Sequence, residues 1–189
     1  MTFNLMIAGV GGQGTVLASK LISAAAMKKG FDVRTTETIG MAQRGGSVFG
    51  HCRIGENIFS PLIPLGKADA LIAFEPSEAV RQLAYIQKNS TVLVCDKVMS
   101  PVNSSYELKE MIDYLKKNAP KLIMIDSQRL ANQNPKTLNV TLLGAAAQSG
   151  IFPFDAQTLK EVLPEILPQR LLEMNYRALE LGREVIINS

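Results

Sequence analysis

Tryptophan is absent from this 189-residue chain, aromatic residues make up only 6%, and there are two cysteines and a single histidine. Two thiols fall short of the roughly four ligands that an iron–sulfur cluster or a structural zinc requires, so neither can be held by this chain alone. Cys52 and Cys95 lie far apart in apolar stretches, which favours buried free thiols over a disulfide. No apolar run approaches the ~20 residues that span a bilayer. The first residues carry neither a charged n-region nor a signal-type apolar region, and the expectation is a cytoplasmic protein without a membrane segment. Dense basic runs with interleaved aromatics are also missing, so the formal net charge of +3 does not argue for nucleic acid. Without internal repeats, low-complexity tracts or linkers, residues 1–189 are expected to form one domain.

What is present is organised around residues 5–19. Leu5, Met6, Ile7 and Ala8 read as a buried strand, because strands covered on both faces show continuous apolar runs. Gly9, Gly11 and Gly14 then fit the G-x-G-x-x-G turn, with Gly12 and Gln13 between them, and Val16, Leu17, Leu21 and Ile22 follow at helical spacing. Glycines there let the chain turn sharply and let a phosphate or carbonyl approach the backbone, while the helix start presents unpaired N–H groups. The same glycines also serve a purely structural turn, so an anion or nucleotide site and a packing device both remain open. A nicotinamide-binding unit would further need an acid near the end of the second strand, for which Asp32 and, better placed, Glu37 are candidates, although a solvated strand end accounts for Glu37 equally well.

Residues 40–47, Gly-Met-Ala-Gln-Arg-Gly-Gly-Ser, read as a loop in which Arg44, set beside Gly45 and Gly46, can reach a carboxylate or phosphate. An ordinary surface salt bridge is the competing reading. Further strands are expected at 31–38, 46–54, 56–63 (a hairpin with the preceding one or an extension of it), 68–74, 91–95 and 122–125. Helices are expected from Pro76 through Ile86, over 104–117 and 137–149, after Asp155 as N-cap, and after Pro168. The small residues of 137–149 allow another backbone to approach closely, inside the domain or on a partner. His51 reads as a core or interface residue. Glu75 and Asp96, at strand ends, read as caps or solvated ends more readily than as site residues. The alternation predicts a three-layer α/β fold with a Rossmann-like, mostly parallel sheet and a small antiparallel addition around 46–63.

GVGGQG at residues 9–14, followed about thirty residues later by ETIGMAQRGGSV, resembles the gamma-type subunits of the 2-oxoacid:ferredoxin oxidoreductases. The GMAQRGG wording is most similar to the small (beta) subunits of the indolepyruvate type. The likeness continues into LLEMNYRALELG near the C-terminus. It implies a subunit of an oxidoreductase complex, inactive alone, which decarboxylates a 2-oxoacid such as indolepyruvate, passes the acyl group to coenzyme A and sends electrons to ferredoxin. This chain has neither a G-D-G motif nor a cluster-forming set of cysteines, and the resemblance implies that thiamine diphosphate, Mg and iron–sulfur clusters lie on a larger alpha subunit. Gly9, Gly11, Gly12, Gln13, Gly14, Arg44, Gly45 and Gly46 are the expected contacts to cofactor or coenzyme A, with no catalytic residue and no metal ligand on this chain. The rival expectation is a free-standing NAD(P)-binding reductase, against which stands the absence of a convincing Tyr-x-x-x-Lys pair.

Overall fold

The computed structural model describes residues 2–40, 45–98, 107–130 and 134–187. Its elements run β1 (Phe3–Val10), α1 (Thr15–Lys28), β2 (Asp32–Ile39), β3 (Ser47–Gly55), β4 (Ala68–Ala73), α2 (Pro76–Gln82), β5 (Ile86–Cys95), α3 (Leu108–Asn118), β6 (Lys121–Ile125), α4 (Leu138–Gln148), α5 (Ala156–Ile166), α6 (Gln169–Leu181) and β7 (Ile186–Ile187). The strands form one sheet in the order β2-β3-β1-β4-β5-β6-β7. Strands β1, β4, β5 and β6 are mutually parallel, whereas β3 is antiparallel to both its neighbours and β7 to β6.

Alternate residues of β1 face opposite layers, as strand geometry requires. Leu5 and Ile7 join the larger core with residues of α1, α4, α5 and α6, while Met6 and Ala8 pack with Ala79 of α2 and Leu115 of α3. The expected three-layer α/β fold is therefore the one observed. The antiparallel strand, however, is not an appendage but lies inside the sheet, and the expected strand at 56–63 is irregular. Pro61 and Pro64 supply no N–H to a ladder, which defeats the strand-like apolar content of that stretch. Ile58 and Ile63 anchor it inward, leaving Phe59 93% exposed together with Leu62 and Leu65. Helix α2 is also shorter than expected: Leu83–Tyr85 tightens into a 3-10 turn and β5 begins at Ile86.

The small residues of α4 serve the domain's own core. A Cβ on Gly144 would lie 2.2 Å from the Leu179 carbonyl oxygen of α6, and one on Gly182 would lie 2.4 Å from the Ala145 nitrogen. Helices α4 and α6 therefore touch backbone to backbone.

His51 is buried in the other layer, its Nδ1 accepting the Ile63 N–H at 3.2 Å, with Phe49 and Tyr85 edge-on at 5.9 and 5.3 Å. An accepting Nδ1 needs the neutral ring, and burial lowers the pKa below the ordinary 6.5. Below about pH 6.5 the unfolded chain therefore binds a proton that the folded chain refuses. Stability is expected to fall as pH drops through 6.5 toward the lowered folded value, and to be insensitive to this group above it. Urea midpoints between pH 8 and 5 check this: in His51→Asn, which keeps an acceptor, the fall just below pH 6.5 is expected to be shallower.

Candidate functional site

The parallel strands all end at one edge of the sheet, and the direction of chain progression reverses between β1 and β4. Open α/β sheets bind ligands outside the C-terminal strand ends at such a reversal. The β1–α1 loop lies there. Gly14 stands at the N-cap of α1 with φ 83°, no side chain caps the helix, and no acid occupies its first turn. By contrast, α2 and α5 are capped by Glu75 and Asp155.

Each glycine of the loop answers a different demand. A Cβ on Gly9 would meet Gln13 Oε1 at 2.7 Å, Thr15 Cγ2 at 2.8 Å and Phe74 Cβ at 3.0 Å, so Gly9 permits close packing of β1, its loop and β4. A Cβ on Gly14 would lie 2.6 Å from Asn139 Nδ2, where the first turn of α4 buttresses the loop. Gly12 has φ 104° and open space on its Cβ side. Gln13 closes the turn, its Oε1 accepting the Val10 N–H at 2.7 Å and its own N–H reaching the Val10 carbonyl at 3.0 Å. Its Nε2 is buried without a partner among the described residues.

The structure brings the second glycine pair to this loop. The Gly11 N–H donates to the Gly46 carbonyl at 2.8 Å and the Gly45 N–H to the Gly11 carbonyl at 3.3 Å. Gly45 has φ 78°. Residues 41–44, including Arg44, lie outside the described residues. Gly40 and Ser47 close the neck of this connection through the Gly40 N–H and the Ser47 carbonyl at 2.9 Å.

Side chains from β3 and α2 complete this edge, and the sequence reading did not single out two of them. The Ser47 hydroxyl donates to Glu78 Oε2 at 2.5 Å, and Arg81 Nε lies 3.4 Å from Glu78 Oε1. Glu78 is 3% exposed. Burial pushes its carboxyl above the usual range, and the neighbouring Glu75 adds to this, against the Ser47 hydrogen bond and Arg81. Glu75, 1% exposed, accepts the Glu78 N–H at 3.2 Å and the Ser77 hydroxyl, as an N-cap does. Asp96 accepts the Ser127 N–H at 2.7 Å and so ties the end of β5 to the turn after β6. Farther along the edge, Lys97, Ser127, Asn134, Thr137 and Thr141 line a cavity of about 240 Å³ beside the start of α4.

Glu37 is exposed on β2, opposite Gly50 of β3. In a nicotinamide-binding unit the acid-bearing second strand adjoins the first. Here β3 intervenes, which moves Glu37 about one strand spacing, ~4.8 Å, farther from the crevice. The free-standing NAD(P) reading is therefore not favoured. Among the described residues no group of three or more His, Cys, Asp or Glu side chains could hold a metal ion, and no helix is long and apolar enough to cross a membrane. Burial pushes the Cys52 thiol up to about 12 and the Cys95 thiol up to about 11, as inert core thiols.

Comparison with known proteins agrees with this architecture. The indolepyruvate oxidoreductase subunit IorB of Thermococcus kodakarensis is 38% identical over 189 residues, which cover 95% of this chain and 94% of that subunit. The common gamma subunit of the pyruvate/ketoisovalerate oxidoreductases of the same organism is more distant, at 27% over 177 residues, covering 91% of this chain and 90% of that one. In solved structures, the fold recurs in the 2-oxoglutarate:ferredoxin oxidoreductase of Magnetococcus marinus with a TM-score of 0.72 at 20% identity, where it matches 97% of this chain but 31% of the longer one. Residues 4–185 match the pyruvate ferredoxin/flavodoxin oxidoreductase family, and the chain belongs to that family.

Proposed function

We propose that this chain is the small subunit of an indolepyruvate:ferredoxin oxidoreductase and completes the coenzyme A side of a site whose redox cofactors lie on a larger subunit. In the reaction the bond between the carboxylate and the carbonyl carbon breaks and CO2 leaves. The acyl carbon is then joined to the coenzyme A sulfur as the thiol S–H bond breaks and its proton goes to solvent, and two electrons pass to ferredoxin. Thiamine diphosphate with Mg, and iron–sulfur clusters, would supply the carbanion and electron chemistry. Two buried thiols and the absence of a metal-holding cluster among the described residues do not fit those groups, so no step is assigned to them on this chain.

The part proposed for this chain is recognition of an anionic group. The observation that carries it is the pair of backbone hydrogen bonds joining the Gly9–Gly14 loop to Gly45 and Gly46 at the uncapped start of α1. Together these loops offer backbone N–H groups, the positive end of a helix and, from the sequence, the guanidinium of Arg44. The exposed Phe59, Leu62 and Leu65 suit a chain that works against a partner surface.

The test is co-expression with the large subunit under anaerobic conditions, followed by indolepyruvate-dependent reduction of ferredoxin with and without this chain. Turnover is expected to require both chains, and Arg44→Ala is expected to raise the KM for coenzyme A about tenfold, as loss of a charge-assisted contact does. Full turnover by the large subunit alone overturns the proposal. Unchanged turnover and unchanged KM values in Arg44→Ala remove the role of that loop.

A further inference from the structure

We infer that Glu78 is a positioning residue: through the Ser47 hydroxyl it holds Gly45 and Gly46 against the glycine loop of β1, and thereby sets the geometry of coenzyme A recognition. The inference rests on the proposed role of these two loops.

Gly45 and Gly46 have no side chains with which to anchor themselves, and Gly45 sits at positive φ. Their fixation is therefore borrowed. On one side it comes from Gly11, through the hydrogen bonds of 2.8 and 3.3 Å, and on another from the neck between Gly40 and Ser47. The longer of the two Gly11 bonds is weak by the usual geometric criterion. Ser47 is the first residue past the glycines whose side chain can be tied down, and its hydroxyl goes to Glu78 at 2.5 Å. Glu78 belongs to α2, which follows β4 and packs on β1 and β4, whereas Ser47 opens β3 on the other side of β1 from β4. This one bond thus fastens the start of β3 to the helix that follows β4.

A merely stabilising role suits Glu78 poorly. Its carboxylate is almost fully buried, Glu75 stands three residues earlier and equally buried, and its cationic neighbour Arg81 is mostly exposed. Burying a carboxylate against a like charge is costly, and an apolar side chain of similar size would fill the space without that cost. What an apolar side chain cannot do is accept the Ser47 hydroxyl. Glutamine, which also accepts, separates the two roles.

The test uses the assembled two-subunit complex and reads KM for coenzyme A separately from kcat. Ser47→Ala and Glu78→Leu are each expected to raise that KM about tenfold, as loss of a hydrogen bond to a charged group does, with kcat at saturating coenzyme A within about twofold. The double variant is expected to add nothing further, because both substitutions cut the same link. Glu78→Gln is expected to restore the KM to within about twofold of the parent. In the full-length chain, Ser47→Ala is also expected to speed amide exchange in peptides spanning residues 45–48. Wild-type KM in Ser47→Ala, or additive losses in the double variant, overturns the inference even if Glu78→Leu fails to fold. Arg44→Ala run in parallel separates the two levels. If it raises the KM while Ser47→Ala does not, the positioning role fails and the proposed function stands; if Arg44→Ala has no effect, the reading beneath both is wrong.

Discussion

Gly12→Val is expected to cut kcat/KM for coenzyme A in the complex by tenfold or more, at about 1.4 kcal/mol per factor of ten, while leaving a folded chain. Gly12 is the loop glycine with open space where a side chain would go, at φ 104°. Among the described residues, chain neighbours aside, a valine there meets no atom within 4 Å of its Cβ, so its steric cost is expected to fall on whatever approaches the loop from the crevice. The remaining cost is the backbone conformation, about 1–2 kcal/mol for an L-residue at positive φ, or about 5 °C in Tm for a domain of this size. Kinetics and a thermal melt on the same variant check the prediction. Loss of Tm with unchanged KM means that nothing lies against Gly12 in the working complex. Gly9→Ala is the contrasting control, because its Cβ would collide with Gln13, Thr15 and Phe74 and its damage falls on the fold.

Gly144→Ala carries the largest expected stability loss. The added methyl would sit 2.2 Å from the Leu179 carbonyl oxygen and 3.0 Å from its carbon. Both atoms are backbone within a helix, so they cannot yield by a rotamer change. Helices α4 and α6 must move apart, and Gly182, packed against Thr141 and Ala145, holds them together a turn away. Overpacking of this kind costs about 3 kcal/mol, which corresponds to a fall of roughly 10 °C in Tm. Differential scanning calorimetry of the variant against the parent measures it, and a fall under about 2 °C, less than 1 kcal/mol at this size, contradicts the contact as described.

The β1–α1 unit was legible in the sequence because its signals are local: an apolar run, glycines at fixed spacing, and a helical period in Val16, Leu17, Leu21 and Ile22. The same holds for Asp155 as a cap, for β4 and β6, and for the C-terminal half of β5, whose apolar runs are bounded by polar residues, whereas the start of β5 at Ile86 was read as helix. The place of β3 was not legible. Its composition announces a strand, but nothing within residues 47–55 says that it pairs with β1 through Leu5↔Cys52 and with β2 through Thr35↔Cys52. Residues 56–63 misled because apolar content outweighed Pro61 in the reading, whereas the missing N–H decided the structure. The link from Ser47 to Glu78 spans 31 residues, and the approach of Asn139 to Gly14 spans 125. Contacts of that range leave no periodic trace, so the glycines were visible while the groups that hold them were not.

The insertion of β3 has a bearing on how the crevice is assembled. Because the chain turns back after β2 instead of crossing over again, both glycine loops fall within the first 47 residues and on strands that are immediate neighbours. The entropy of closing that contact grows only with the logarithm of the intervening chain, and fewer than 40 residues separate Gly11 from Gly46. The backbone of the two joined glycine loops is thus a short-range product of the N-terminal quarter. The latches on it, Glu78 and Asn139, come from later segments and engage once the parallel half of the sheet and α4 are in place. Substitutions in the first quarter therefore change what the crevice is made of, and substitutions beyond it change how firmly the crevice keeps its shape.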